Sequence, residues 1–239
     1  MQDNYINFTK AELTKPIYRI MPVHRLLGAF EQKSMALVEP EKWDDPFENL
    51  LLKGFIQHSS ADAIGSNLFR NSIYGQCWTF HRETDAMWRI YSPDKQGVKV
   101  RTTIGKLISA LISSSDKGKE RACFIGKVSY LSQRELVSKL IGISGMHGRY
   151  AAESLLYKRK EFRHEREVRL IYAMNSLDGN VHEFNIDPIQ LFDEVVFDPR
   201  MNNHIFHAYK DAVHAKGFRK PIRQSVMYQL PTDLKNIFT

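Results

Sequence analysis

Glu165 and Glu167 are the pair of residues in this chain best spaced to act together in chemistry. They sit in the stretch Phe162 to Tyr172, F-R-H-E-R-E-V-R-L-I-Y, which closes on apolar residues. As a strand, this stretch would point successive side chains to opposite faces. Glu165, Glu167 and Arg169 then share one exposed face, and Val168, Leu170 and Tyr172 share the other. Two carboxylates held that close can divide labour between orienting a substrate and stabilising a developing positive charge. The plainer alternative is a solvated charge ladder in which Arg163 and Arg169 flank the acids.

Arg19 stands alone as a charge within Ile17-Tyr18-Arg19-Ile20-Met21, a short apolar stretch bounded by Pro16 and Pro22. Tyrosine and isoleucine favour a strand, and prolines bound one. An arginine there either pairs with an acid on the sheet face or binds an anion. His81, Arg82 and Glu83 are adjacent residues of acid–base type. His204 and His207 lie three apart on an expected helix, but no cysteine or acid completes a metal set beside them. Phosphate-cradling and dinucleotide-binding glycine loops, an H-E-x-x-H helix and a nucleophile elbow are all missing from the sequence.

The elements that must position these residues come from 239 residues, 43% of them hydrophobic, enough for a substantial core. The net charge of +7 favours an anionic partner such as nucleic acid, a nucleotide or an acidic protein. Cys77 and Cys123 are too few for a disulfide framework or a cysteine-built zinc site. No early run resembles a signal peptide, and none approaches the ~18 apolar residues of a membrane helix. A cytoplasmic protein without membrane contact is expected.

In chain order, residues 1–15 read as a loosely held N-terminal arm and residues 16–239 as one α+β domain. Helical spacing appears over His24 to Phe30, and a strand over Ser34 to Val38. Asp44-Asp45-Pro46-Phe47-Glu48 is a turn and helix start, with helix and loop from Leu50 to Arg70. Strands are expected over Tyr74 to Phe80 and Gly97 to Thr103, separated by a short helix carrying Met87, Trp88 and Tyr91. Ile104 to Ile112 reads as a helix, Cys123 to Leu131 as a strand, and Arg134 to Ile143 and Tyr150 to Glu161 as helices. Strands over His182 to Ile186 and Phe192 to Phe197 follow, then a helix from Asn202 to Lys216 ended by Gly217, and a strand from Pro221 to Leu230.

The order W-D-D-P-F-E, then C-W-T-F-H-R-E-T-D-A-M-W-R-I-Y, then K-R-K-E-F-R-H-E-R-E-V-R-L resembles an uncharacterised bacterial family. That family carries an N-D-P-F-E-like turn, an M-W-x-x-Y helix and an E-x-E-x-R strand. Asp44 replaces the usual asparagine of the turn. More loosely, an early strand arginine, a middle-strand hydroxyl and a late Glu-x-Glu resemble ADP-ribosyltransferases of the arginine–serine–glutamate class. The resemblance implies a central mixed or antiparallel split sheet with flanking helices. It implies NAD as substrate, Arg19 on the nicotinamide ribose and phosphate with Arg25 as the alternative, and Thr79 as the middle-strand hydroxyl. The class's Ser-Thr-Ser is reduced here to Trp78-Thr79-Phe80. By the same likeness Trp88 or Tyr91 stacks on nicotinamide, Glu167 is the catalytic glutamate and Glu165 positions the acceptor.

Breaking the nicotinamide–ribose bond creates an oxocarbenium-like centre, which a carboxylate stabilises. A toxin or defence effector is the implied role, acting on nucleic acid, RNA ahead of DNA, or on a protein, with an antitoxin-like neutralising partner. Two other classes remain open: a metal-independent RNase using His81, Arg82 and Glu83, and a nucleic-acid- or partner-binding module whose acidic pair is structural.

Overall fold

A computed structural model describes residues 2–40, 43, 73–141, 148–174 and 181–230. The turn at 44–48 and the helix and loop expected over 50–70 lie outside them, as do Gly142 and Gly145.

Strands β1 (Tyr5–Ile6) and β2 (Pro16–Pro22) precede helix α1 (Val23–Gln32) and strand β3 (Ser34–Val38). Next come β4 (Ile73–Thr79), α2 (Asp85–Tyr91), β5 (Gly97–Thr103) and α3 (Ile104–Ser114). The middle of the chain supplies β6 (Cys123–Lys127), β7 (Ser129–Leu131), α4 (Gln133–Ile141), α5 (Arg149–Ser154), β8 (Tyr157–Arg159) and β9 (Glu167–Ala173). It closes with β10 (Val181–Asn185), α6 (Pro188–Leu191), β11 (Glu194–Phe197), α7 (Asn203–Ala215) and β12 (Ile222–Gln224).

Among the described residues, ten strands form one mixed sheet in the order β1-β6-β9-β4-β2-β5-β11-β12, with β3 and β10 branching from β4. Helices pack on both faces, so the architecture is α+β. The branch is the feature that matters for function. One edge of β4 pairs with β9 along its whole length, from Ile73↔Ala173 to Thr79↔Glu167. Its other edge is divided. Tyr18 of β2 meets Thr79 at one end, and Val38 of β3 meets Gly75 at the other. β2 then leaves to run against β5, from Pro16↔Thr103 to Pro22↔Gly97. The sheet therefore forks beyond Tyr18, and backbone that would pair in a continuous sheet faces a cleft instead.

Local chemistry explains most elements. Thr84 caps α2, its hydroxyl accepting from the Met87 amide at 3.2 Å. Asn202 caps α7 in the same way, and Gly217 follows its end at φ +89°. β5 alternates between two faces, but both are largely covered, where the alternation alone suggests a half-buried strand. Val98 and Val100 enter the main core under α1 and α3, while Lys99 enters the other side against the rings of Tyr18 and Trp88. A smaller core on that other side packs Ala152, Leu155 and Leu156 over Phe124 and Ile171.

Four expectations are corrected. The arm is not loose, since β1 pairs with β6 and Asn4 donates to the carbonyls of Glu120 and Cys123. The helix expected over Tyr150 to Glu161 spans only Arg149–Ser154. Its second half is drawn into β8, which pairs in parallel with β7, and then into a 3₁₀ turn, Lys160–Glu165. Tertiary pairing overrides helix propensity there. The strand expected over Cys123 to Leu131 breaks at Val128 into β6 and β7, and the last strand is confined to Ile222–Gln224.

The rerouting through β8 carries a side chain to the glutamates, and a glycine makes room for it. A Cβ on Gly126 would lie 2.2 Å from Leu156 Cδ1. Glycine lets Leu156 seat on the sheet, two residues before Lys158.

Candidate active site

The fork holds a cavity of about 120 Å3. Arg19 and Ile20 line it from the β2 limb, Cys77 and Thr79 from the β4 limb, Tyr91 from α2, and Glu165 and Glu167 close it. Four of the sequence candidates thus meet Glu167 in one place because two strands diverge.

Glu167 is the first residue of β9 and is buried, at 5% exposure. Glu165 is not on that strand. It ends the 3₁₀ turn, and Arg166, left-handed at φ +44°, re-aims the chain between them. Nor is the charged face of β9 exposed, as the alternation suggested. Every residue of β9 is buried, because α5 and the residues after it cover that face. The covering segment compensates the charges. Lys158 Nζ donates to Glu165 Oε2 and to Glu167 Oε1, each at 2.5 Å. Arg169, fully buried, donates through Nε to Glu167 Oε2 at 2.8 Å and through Nη1 to the Leu155 carbonyl at 2.6 Å. Its guanidinium also stacks 4.5 Å from the centre of the Trp43 ring. The Glu167 amide donates to the Tyr130 hydroxyl at 2.7 Å.

These surroundings drive the two carboxyls apart. Burial raises the Glu165 pKa first, and its hydrogen bond with Glu167 adds to this, bringing it to about 7 despite Lys158. Burial also opposes ionisation of Glu167, but Arg169, the bond from Glu165 and Lys158 outweigh it and hold that carboxyl below the usual range. Glu167 is then the standing anion, and Glu165 the group that carries or takes a proton near neutral pH.

The sign of the pH dependence follows. Between the ordinary 4.5 and about 7, Glu165 binds more protons folded than unfolded. Its contribution to stability therefore falls as pH rises through that window. Glu167 works oppositely, and its contribution is lost as pH falls below the ordinary value. Thermal midpoints measured across pH 5 to 7 should decline in the wild type, and the decline should flatten in Glu165→Gln. Parallel profiles in the two proteins would remove the assignment.

Arg19 is half-buried on β2. Its Nη1 is buried without a hydrogen-bond partner. Burial lowers its pKa to about 10, with neighbouring Arg25 contributing, so it remains a cation at neutral pH. Arg25 itself is exposed on α1 and does not line the cavity. Thr79 is buried, and its hydroxyl is already engaged: it donates to the Glu165 carbonyl at 2.6 Å and accepts from the His81 amide at 3.0 Å. It fixes Glu165 in place.

Tyr91 is 42% exposed, yet its hydroxyl faces Glu165 and Glu167, and burial of that end with their charges pushes its pKa up. It stays a donor. Trp88 lies elsewhere. It is fully buried, its Nε1 donates to Glu83 Oε1 at 2.8 Å, and Met87 takes the place at the cavity wall.

Glu83 is engaged by Trp88, Ser225 and Lys99, and neither it nor His81 or Arg82 lines the fork. His204 and His207 are exposed on α7, and among the described residues no group of three potential metal ligands forms. No described helix is long and apolar enough to cross a membrane. Sequence reasoning missed Lys158 altogether. Its helix-favouring neighbours concealed it, and no local signal pointed to it.

Residues 87–170 match a family model described as protein of unknown function (DUF2971), a span that runs from Met87 to Leu170. No curated protein matches the chain. Among solved structures, the chain is similar to Thermus sp. 2.9 DarT in complex with NAD+, at 12% identity and a TM-score of 0.42, covering 89% of this chain and 96% of that one. It is also similar to Thermus sp. 2.9 DarT in complex with ADP-ribosylated ssDNA, at 14% identity and a TM-score of 0.41, covering 89% and 94%.

Proposed function

We propose that the chain is an NAD-dependent ADP-ribosyltransferase acting at the fork of the sheet. One observation carries the reading: a half-buried arginine whose Nη1 is buried without a partner shares a small cavity with a buried, ionised glutamate. An unpaired buried donor is costly to keep, so it marks a place for an acceptor that arrives with a ligand. A guanidinium suits phosphate, and a fixed carboxylate suits a cationic transition state.

The cavity takes the nicotinamide–ribose end of NAD, and the adenosine half lies outside it. Arg19 holds the adjoining phosphate. Tyr91 borders the nicotinamide and offers its hydroxyl. The bond from ribose C1′ to the nicotinamide nitrogen breaks, and its electron pair leaves with nicotinamide. Glu167 stabilises the oxocarbenium charge left on the ribose. The acceptor nucleophile bonds to C1′, and ionised Glu165 takes its proton. A base with a pKa near 7 is well matched to that task at neutral pH. Lys158 and Arg169 hold both carboxylates in position without touching the reacting atoms.

The acceptor we favour is nucleic acid, given the net charge of +7. RNA and single-stranded DNA share the phosphates and bases involved, so both belong in the assay. A toxin or defence effector with a neutralising partner is the corresponding role. The test incubates the protein with NAD labelled in the adenosine half, together with RNA, single-stranded DNA or protein. Nicotinamide release with label on a nucleic acid is the expected result. Strand scission without nicotinamide release would overturn the reading.

A further inference from the structure

A second cleft, about 320 Å3, opens on the other side of Glu167. Phe80, Lys127, Tyr130, Arg163 and Arg166 line it, and Glu167 is the wall it shares with the fork. We propose that this second cleft binds a single-stranded nucleic acid, with phosphates on Arg163 and Arg166 and a base against Phe80 and Tyr130. The inference deepens the reading of the fork as the NAD side, because it places the strand across the glutamate from the bond that breaks.

The charges in the cleft are not equivalent. Lys127 is already paired with Glu12 at 2.9 Å, and Glu167 is compensated by Arg169 and Lys158. Arg163 and Arg166 are exposed, and among the described residues their side chains make no hydrogen bond or ion pair. Two uncommitted guanidiniums therefore give the cleft its excess positive charge, where polyanion phosphates can displace counterions.

Arg166 keeps its place at a price in backbone energy. A residue with a Cβ is strained in the left-handed region, and such strain persists where the surroundings enforce it. The Phe80 amide donates to the Arg166 carbonyl at 3.1 Å and ties the strained residue to the end of β4.

The rings are also held in advance. Phe80 packs edge-to-face with Phe8, centroids 6.4 Å apart, and the Tyr130 hydroxyl is fixed by the Glu167 amide. A base stacking on either ring therefore orders little that is not already ordered. An acidic peptide would use the two cations but leave the rings without a stacking partner, which favours the polynucleotide.

Fluorescence polarisation with short fluorescein-labelled oligo-dT and oligo-rU, across a salt series and without NAD, tests the proposal. Wild-type affinity should fall steeply with salt. The Arg163→Ala/Arg166→Ala double variant should bind at least about tenfold more weakly at low salt. Its log–log salt slope should be shallower by about 1.4, two single-strand phosphates' worth. Phe80→Leu, which keeps apolar bulk and loses the aromatic face, should weaken binding by about tenfold with the slope unchanged. Circular dichroism confirms that each variant is folded.

Wild-type affinity and slope in the double variant would overturn the proposal. So would a wild type that ignores both oligonucleotides and binds an oligo-glutamate peptide through the same arginines. Because no NAD is present, strand binding through these residues in a protein that releases no nicotinamide would defeat the reading of the fork and leave this one standing.

Discussion

Glu167→Gln is expected to release nicotinamide from NAD at least about 100-fold more slowly than the wild type, the usual effect of removing a charge-stabilising group from a transition state. The amide keeps the shape of the side chain and can still accept one hydrogen bond, but it carries no charge. Stability changes too, because the carboxylate is the buried partner of Arg169 and Lys158. Weakening those charge-assisted bonds should cost about 1–3 kcal/mol, or several degrees in thermal midpoint. Glu165 should respond as well. With its charged neighbour gone, its pKa should fall back toward the ordinary range, and the decline of stability between pH 5 and 7 should shrink with it. If Glu167 is only the counter-ion of Arg169, the midpoint drops and nicotinamide release does not. A folded Glu167→Gln protein that turns over NAD at the wild-type rate would end the catalytic assignment.

Arg19→Met should move binding and stability in opposite directions. Loss of a charge-assisted contact to phosphate, worth about 2 kcal/mol, should weaken NAD binding by about 30-fold in a calorimetric titration. The same change should leave the thermal midpoint unchanged or raise it. Nη1 of Arg19 is buried without a partner, so the free protein bears a desolvation cost that an apolar side chain of similar length does not. A residue kept for folding would show the reverse, with a lower midpoint and unaltered NAD affinity. That pairing of outcomes would remove Arg19 from the site.

Much of the scaffold was legible in the residue order. Proline-bounded β2, alternating β5 and capped α7 all lie close to where periodicity and capping put them. The acidic pair was legible as well, since two glutamates two apart at the head of an apolar strand are unusual enough to mark. Pattern arguments work for these elements because their signals lie within a few residues of one another.

What only the tertiary structure decided came from contacts remote in sequence. Glu165, Glu167 and Arg169 looked solvent-facing because alternation cannot tell water from a second covering layer, and α5 with its following segment supplies that layer. Lys158 looked helical and became the cation between the glutamates, because parallel pairing with β7 outweighs propensity over three residues. Trp88 looked like a ring for the ligand and became a core residue, while Tyr91, one turn on, kept the opening. The cavity itself has no sequence signature. It exists because β4 shares one edge between β2 and β3, and the divergence of those two strands brings Arg19 to Glu167 across almost 150 residues of chain.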